Sequence, residues 1–317
     1  MLLEEFEPMD QLCYDCGPYE SHRSRDDSVW NGFRDPPKRR RRRYWLTMLE
    51  EAIAEKKKIT PRQATRVESV KYSPHLLEEP DFIKKVHQDI QNNIGYVFKG
   101  VVETKFIDRV VAYLKSIGRS SLPAYHPLAE GCPNFHRVIQ HDKRASVKSI
   151  AHQFLFHPWN HDVFNIFEKM RPIYHLKNSI GGFDRDAFLD ATPKDGHISR
   201  IAFIHYPRGG GMIKRHADPV GRHQLTVPVL QMSSKGEDYR TGGGYSVDEH
   251  GEVIDTDALM EKGDVLFFNA EVIHGVAPVD PDEELDWLSF RGRWSMLGST
   301  IKTVVDRDTP SSIQLEP

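Results

Sequence analysis

The sequence predicts a mainly β core, a sandwich or barrel of short strands, flanked by helices from the N-terminal half of the chain. Its 317 residues are 38% hydrophobic and 28% charged, which excludes collagen-like, low-complexity and fully disordered chains. After Gly181-Gly182, short β-branched and aromatic runs alternate with Gly, Pro and Asp at close intervals. That pattern is typical of an all-β fold, and the helical pattern before it indicates helices packed outside the β core in one domain.

The β half contains segments with the length and composition of strands. Glycine runs at 209–211 and 242–244 lack the Lys-Ser/Thr ending of a phosphate-binding loop, so we interpret them as turns between barrel strands. The predicted strands lie near Ile198–Tyr206, Leu225–Met232, Gly244–Val247, Glu252–Ile254, Asp264–Phe268 and Leu288–Leu297.

Helical spacing dominates from about Pro80 to Tyr174. Apolar residues that recur every three or four positions place one stripe of a helix against a core, and we assign that role to three stripes. The stripes are Phe82, Val86 and Ile90; Phe106, Val110, Val111 and Leu114; and Val163, Phe164, Phe167 and Met170.

Residues 1–75 are polar and show no strand pattern, so we expect a partly helical N-terminal extension. One helix is predicted from Tyr44 to Lys57, where apolar residues recur near helical spacing. The six basic residues Lys38–Arg43 precede it, and such runs are usually solvated. The rest is predicted to form one domain with a helical flank at 76–180, a β core at 181–300 and a tail at 301–317.

Charge and cysteine content narrow the class of protein. The formal net charge is -3, which gives the whole molecule no electrostatic reason to bind polyanions. No apolar run approaches the length of a membrane helix, and the first residues do not resemble a secretion signal, so we expect a cytoplasmic protein. The three cysteines are too few for a disulfide framework, and Cys13 and Cys16 lack a second pair to complete a zinc site.

The most informative segment ends in His216-Ala217-Asp218. Residues two apart on a strand face the same way, so His216 and Asp218 could bind one metal ion. The spacing alone is weak, since His-x-Asp is expected roughly once by chance in a chain of this composition. A second copy, His87-Gln88-Asp89, lies in a predicted helix, where residues two apart point in different directions, so we treat it as accidental.

A third candidate ligand, His274, follows the apolar strand predicted at Asp264–Phe268. Two imidazoles and one carboxylate leave open positions on an octahedral ion, as in non-haem Fe(II) centres that also bind a cosubstrate and oxygen. The alternative is three ordinary surface or hydrogen-bonded residues.

Arg293 and Ser295 share one face of the last predicted strand, whereas Trp294 points the other way. A buried arginine needs an anion, its fork suits a carboxylate, and a neighbouring hydroxyl can add a donor. Arg291 lies on the same face and is a rival anion binder. An Arg-x-Ser triplet by itself is more often part of a salt bridge at a strand edge.

Together these residues resemble the 2-oxoglutarate and Fe(II)-dependent oxygenase superfamily, whose double-stranded β-helix carries His-x-Asp, a distal His and an Arg in that order. The resemblance covers roughly residues 198–300 and implies a jelly-roll, cupin-like barrel. It also implies that His216, Asp218 and His274 bind iron, with no catalytic residue beyond the iron site.

The same resemblance implies that Arg293, Ser295 and Tyr206, which forms a Tyr-Pro pair, hold the far carboxylate of 2-oxoglutarate. One departure from the family is the long interval between the distal His and the Arg, because Asp280–Asp286 looks inserted. Arg291 therefore stays open as the anchor, although only Arg293 begins the Arg-x-Ser triplet.

The activity that the resemblance implies uses Fe(II), 2-oxoglutarate and O2. Asp218 keeps the carboxylate that related halogenases replace with a small residue, so hydroxylation or another oxidation is implied over halogenation. We expect a small-molecule substrate, such as an amino acid or secondary metabolite, and neither a membrane nor a nucleic acid as partner. Two alternatives stay open: an oxygenase that modifies a protein or nucleic acid with Lys38–Arg43 as docking element, and a non-catalytic, cupin-like metal-binding protein.

Overall fold

The structure, a computed structural model, describes residues 59–124, 128–142, 145–221, 223–303 and 313–315. Within these ranges, no helix has the length and apolar character needed to span a membrane. Several predictions lie outside the described residues: the helix at Tyr44–Lys57, the basic run Lys38–Arg43, and the roles of Cys13 and Cys16.

Three α-helices occur in the described part of the N-terminal half, and they arise from the predicted apolar stripes. The start of the last helix is fixed by Asp162, whose carboxylate accepts a hydrogen bond from the backbone N–H of Ile166 at 3.1 Å. Val163 departs from the prediction because it precedes this helix and is 76% exposed. The helices are α1 (Pro80–Gln91), α2 (Thr104–Ser120) and α3 (Ile166–Ile180).

Strands also form where the sequence predicted only helices or no regular structure, so those predictions are wrong. The parallel pair β1 (Arg66–Lys71) and β2 (Ile94–Lys99) begins before the predicted domain boundary at residue 76. Strands β3 (Phe135–Gln140) and β4 (Ser149–Phe156) form an antiparallel pair inside the predicted helical flank. β2 is buried along both faces because it lies between β1 and β10 (Val265–Phe267), and such a run has no alternation to distinguish it from a buried helix.

In the β half, each predicted strand position contains a strand, although several bounds differ. The last of them begins four residues later than expected and extends to Lys302. The strands are β5 (His197–Pro207), β6 (Gly211–Ala217), β7 (Val229–Gln231), β8 (Gly243–Val247), β9 (Val253–Asp255), β10 (Val265–Phe267), β11 (His274–Val279), β12 (Gly292–Lys302) and β13 (Ile313–Gln314).

The strands form one sheet that is rolled into a barrel. Its hydrogen-bonded path runs β1-β2-β10-β7-β12-β5-β4-β6-β11-β8-β9, with β3 added to β4 and β13 added to β6. Residues from both ends of this path, including Val67 of β1 and Tyr245 of β8, line the same cavity, so the sheet closes around it. The prediction of a double-stranded β-helix barrel flanked by helices is confirmed.

The two faces of the sheet have separate roles. Outward-facing Phe154, Phe203 and Met296 pack with α1, α2 and α3 in the largest hydrophobic core. Inward-facing Ile204 and Tyr206 of β5 line the cavity instead. Because side chains alternate along a strand, β5 separates a dry core on one side from the cavity on the other.

The glycine run at 209–211 forms a turn, as predicted, but the run at 242–244 is mostly strand, because β8 begins at Gly243. Gly210, between β5 and β6, has a φ of +107°, and Gly242, before β8, has a φ of +77°. These values lie in the left-handed region, which glycine adopts without steric cost.

Candidate active site

His216, Asp218 and His274 form the one cluster of potential metal ligands found among the described residues. One ligand atom from each residue lies within 4.8 Å of the others. The register of the sheet explains this, because His216 near the end of β6 pairs directly with His274 at the start of β11. The structure therefore brings together all three predicted ligands, although His274 is distant from the other two in the sequence.

Both imidazoles present the same nitrogen to the cluster. Nδ1 of His216 lies 2.8 Å from the carbonyl oxygen of Lys214, and Nδ1 of His274 lies 2.7 Å from that of Val272. A carbonyl only accepts hydrogen bonds, so each Nδ1 carries the proton and each Nε2 keeps its lone pair. The Nε2 atoms lie 3.8 Å and 3.7 Å from the two carboxylate oxygens of Asp218. This is the tautomer and orientation that a divalent metal ion requires.

Burial also favours a neutral ligand at His274. Its pKa is lowered to about 4 by burial and by the neighbouring His216, although Asp218 acts in the opposite direction. The imidazole is therefore unprotonated at Nε2 near neutral pH, as metal binding demands.

The cluster opens on a cavity inside the barrel. Much of its lining is apolar, but Tyr206, Arg293 and Ser295 form a polar wall. These are the residues that the sequence resemblance assigns to the far carboxylate of 2-oxoglutarate, and the structure places them in the same cavity as the cluster of potential metal ligands. The cavity is also lined by the apolar residues Ala64, Val67, Ile204, Ile213, Val227, Val229, Leu266, Phe268, Val272, Val276 and Leu297.

Arg293 is 3% exposed and is already paired with an acid of the protein itself. Its Nε and Nη2 donate to the two oxygens of Asp257 at 2.6 Å and 2.8 Å, and its Nη1 donates to Ser295 Oγ at 3.0 Å. Asp257 also accepts hydrogen bonds from Tyr239 Oη at 2.5 Å and from the backbone N–H of Gly244 at 2.8 Å. The buried anion that the sequence analysis required for Arg293 is thus supplied in part from within the chain.

Electrostatics keeps this buried pair ionised. Burial alone would raise the pKa of Asp257, but the charge and hydrogen bonds of Arg293 outweigh it and hold that pKa below its ordinary value. Burial likewise opposes the charge on Arg293, yet Asp257 raises the pKa of the guanidinium. Gly244 has to be glycine for this packing, since a Cβ there would lie 2.7 Å from Asp257 Oδ1 and 2.8 Å from Arg293 Nη2.

Tyr206 leaves its hydroxyl free to face the cavity. No hydrogen bond to a described residue involves this hydroxyl, and its ring lies under the Arg293 guanidinium at 5.5 Å. Burial raises the pKa of Tyr206 to about 12, so the hydroxyl keeps its proton and can donate.

Arg291, the rival anion binder, lies outside the cavity. Its side chain is 64% exposed and approaches Glu283 at 3.5 Å. Glu283 belongs to the Asp280–Asp286 stretch and also pairs with Arg208 at 3.0 Å. The inserted stretch therefore folds over the β5–β6 turn, and β12 begins after Arg291.

Sequence reasoning missed Asp257 and Tyr239. Asp257 lies in a short 3-10 turn between β9 and β10, and no motif marks it. The one sequence signal for a buried pair was the glycine run at 242–244, because the small residues before Tyr245 leave room for Asp257 and Arg293 beside β8.

Comparison with known proteins finds similarity at the level of three-dimensional structure. No family model and no curated protein matches the sequence. A prolyl-4-hydroxylase from Pseudomonas putida aligns over 68% of this chain and 96% of its own, with 14% identity and a TM-score of 0.44. A Neurospora crassa protein, solved in complex with α-KG and 5-formyluracil, aligns over 73% and 83%, with 14% identity and a TM-score of 0.46. A prolyl hydroxylase from Trichoplax adhaerens, in complex with a peptide, aligns over 72% and 93%, with 14% identity and a TM-score of 0.40.

The rolled sheet, the cavity inside it, and the His216, Asp218 and His274 cluster at the paired ends of β6 and β11 agree with the resemblance seen in the sequence. The chain has a double-stranded β-helix fold, which is the fold that the sequence resemblance implies. Within that fold the ligand cluster and Arg293 both face the cavity.

Proposed function

We propose that the protein is an Fe(II)- and 2-oxoglutarate-dependent oxygenase that hydroxylates an unactivated carbon of a small molecule. The observation that carries the proposal is the cluster of His216, Asp218 and His274 on the wall of the same cavity as Arg293. Two Nε2 lone pairs and one carboxylate suit Fe(II) and leave coordination positions for a cosubstrate and O2.

The polar wall fits one carboxylate of 2-oxoglutarate. A guanidinium has five N–H donors, and Arg293 directs three of them to Asp257 and Ser295. Two N–H groups therefore remain, together with the hydroxyl hydrogens of Ser295 and Tyr206. Asp257 fixes the plane of the guanidinium and so orients the remaining donors, which means that it acts as a positioning residue.

The bound iron would supply the activation of O2 and the oxidative decarboxylation of 2-oxoglutarate that this class of oxygenase couples to substrate oxidation. The contribution of the chain is positioning. Lys214 and Val272 hold the two imidazoles through their carbonyl groups, so His216 and His274 need no reorientation when the metal binds. The apolar lining keeps competing water away from the reacting groups.

A small substrate is supported by the position of the ligand cluster on the wall of a largely apolar cavity inside the barrel. The alternative substrates, a protein or a nucleic acid, would have to insert a side chain or an extruded base into this cavity. Turnover of small molecules by a chain that lacks residues 1–43 supports the first class, and turnover of macromolecules that requires Lys38–Arg43 supports the second.

The decisive experiment is anaerobic addition of Fe(II) and 2-oxoglutarate. A weak visible charge-transfer band is expected, because the band requires both molecules to bind at one metal centre. His216→Ala and Asp218→Ala should abolish the band and iron binding while circular dichroism stays unchanged, since these residues face a cavity rather than a packed core. His250→Ala, at an exposed histidine beside Glu249, is the matched control and should keep the band. An unchanged band in the ligand variants would refute the assignment.

A further inference from the structure

Arg200 occupies the inner face of the barrel at the opposite end of β5 from Tyr206. Side chains alternate along β5, so Arg200, Ile204 and Tyr206 face the same side, and Ile204 and Tyr206 line the cavity. At the rise of a strand, Arg200 lies about 20 Å from Tyr206 along β5. Its partner across the β12 ladder is Ser299, which shares this face.

The side chain of Arg200 has no hydrogen bond or ion pair with any described residue, and its Nε is inaccessible to solvent. The hydroxyl of Ser299 beside it is also buried without a partner. Buried donors in folded proteins are almost always satisfied, and charged ones nearly without exception. Two adjacent donors without partners on the inner wall of a barrel therefore indicate a place built for an anionic ligand.

The charges around Arg200 also favour an anion. Burial lowers its pKa to about 10, and the positive charge of Arg137 on β3 adds to that effect. Arg137 itself donates from Nε to Gln153 Oε1 at 2.7 Å, which holds it on the same face of the sheet. Asp218 is the carboxylate whose charge acts on Arg200, and the proposed function commits Asp218 to the metal.

We infer that Arg200, with Ser299 beside it, binds a carboxylate of the primary substrate, so that the substrate is a small organic acid. The inference rests on the proposed function, because it assigns the opposite end of β5 to 2-oxoglutarate. A planar guanidinium next to a hydroxyl matches the geometry of a carboxylate. Because Arg200 and Arg293 lie toward opposite ends of the β5–β12 ladder, the two acids would occupy separate ends of the barrel.

The test is anaerobic titration calorimetry in the presence of Fe(II) and saturating 2-oxoglutarate. The probes are linear carboxylates from acetate to octanoate, together with benzoate, each compared with its primary amide. At least one acid is expected to bind at least about tenfold more tightly than its amide, and Arg200→Gln should abolish this preference. Arg200→Lys should keep part of it, since the charge remains. Arg109→Gln, at an exposed arginine on α2, is the control and should bind like the parent.

Three results would overturn the inference: no acid binds better than its amide, the preference survives Arg200→Gln, or Arg200→Gln weakens 2-oxoglutarate instead. The last result would make Arg200 the cosubstrate anchor. A missing charge-transfer band together with an acid preference that depends on Arg200 would refute the oxygenase proposal and leave the carboxylate site standing.

Discussion

Arg293 and Asp257 lie 36 positions apart and meet only because β12 and the turn before β10 face one cavity. The pair matters for binding because an unpaired guanidinium could turn away from the cavity, whereas Asp257 holds two of its nitrogens. It matters for stability because each partner would be a buried, uncompensated charge without the other.

Arg293→Lys keeps the positive charge but removes the planar guanidinium and its paired donors. Lysine still neutralises Asp257 but cannot present paired donors to a carboxylate, so binding of 2-oxoglutarate should weaken by about 2 kcal/mol, or about thirtyfold in Michaelis constant. Steady-state kinetics with varied 2-oxoglutarate measures this change, while iron binding should be unaffected. Arg291→Lys is the matched control and should behave like the parent; a reversed pattern would mean that Arg291 is the anchor.

Asp257→Asn should destabilise the protein by about 3–5 kcal/mol, because Arg293 would then remain charged and buried without its counterion. Urea unfolding at pH 7 measures the loss. Asp255→Asn removes a carboxylate that is only partly buried and pairs with Lys235, so it should cost less than about 1 kcal/mol. Equal losses of unfolding free energy in the two variants would show that burial of the Asp257–Arg293 pair does not raise its contribution to stability.

At the scale of elements, three strands carry a layer of buried histidines beneath the helices. His136 Nε2 lies 2.9 Å from His152 Nδ1, and His152 Nε2 lies 3.0 Å from the carbonyl oxygen of Trp287. His205 on β5 stacks against Trp294 with ring centroids 4.6 Å apart. This layer connects β3, β4 and β5 to the loop that leads into β12.

We predict that this layer makes the fold sensitive to acid. Burial lowers the pKa of His136 and of His152 to about 4, against an ordinary value of 6.5. Between pH 6.5 and 4 the unfolded chain therefore binds more protons than the folded protein does. As the pH is lowered through that window, the free energy of unfolding falls by up to ~1.4 kcal/mol per pH unit for each histidine.

The measurement is the free energy of unfolding in urea at a series of pH values. His152→Phe should make the dependence shallower, since phenylalanine keeps the stack on Phe154 and Phe290 but binds no proton. His250→Phe, at the exposed histidine, should leave the slope unchanged. A parent protein whose stability is level from pH 6.5 to 4 would contradict the prediction.

The element that sequence reasoning identified best is β5, and the ones it missed include β2 and β4. β5 has turn residues at both ends and β-branched residues inside, which are local signals. β2 and β4 are short apolar runs between helices, and their strand state depends on pairing with β10, β5 and β6, which lie more than a hundred residues away or on the far side of a helix. The local sequence does not encode such long-range strand pairing.

For the whole molecule, metal binding should increase thermal stability, because the bound metal would link the paired ends of β6 and β11. Fe(II) at about 100 times its dissociation constant would add about 2.7 kcal/mol, or about 5 °C in melting temperature. Anaerobic melting with Fe(II) and then with a chelator measures the gain and its reversal. His274→Ala should melt at the same temperature with and without Fe(II); an equal gain in this variant would place the metal elsewhere.

The sequence by itself determined the β barrel of the C-terminal half, the glycine turn at 209–211 and the order of His216, Asp218, His274 and Arg293. These features depend on alternation, turn chemistry and spacing, which neighbouring residues encode. The roles of these four residues as iron ligands and cosubstrate anchor stay predictions until the variants above are measured.

Only the tertiary structure decided which distant residues meet. The register of β6 and β11 places His216 next to His274, and the pairing of β5 and β12 places Ser299 beside Arg200. The turn before β10, which no sequence motif identifies, places Asp257 against Arg293. A one-residue slip of any ladder would turn these side chains to the opposite face. Such contacts depend on closure of the whole sheet, and closure is a property of the packed chain rather than of any local segment.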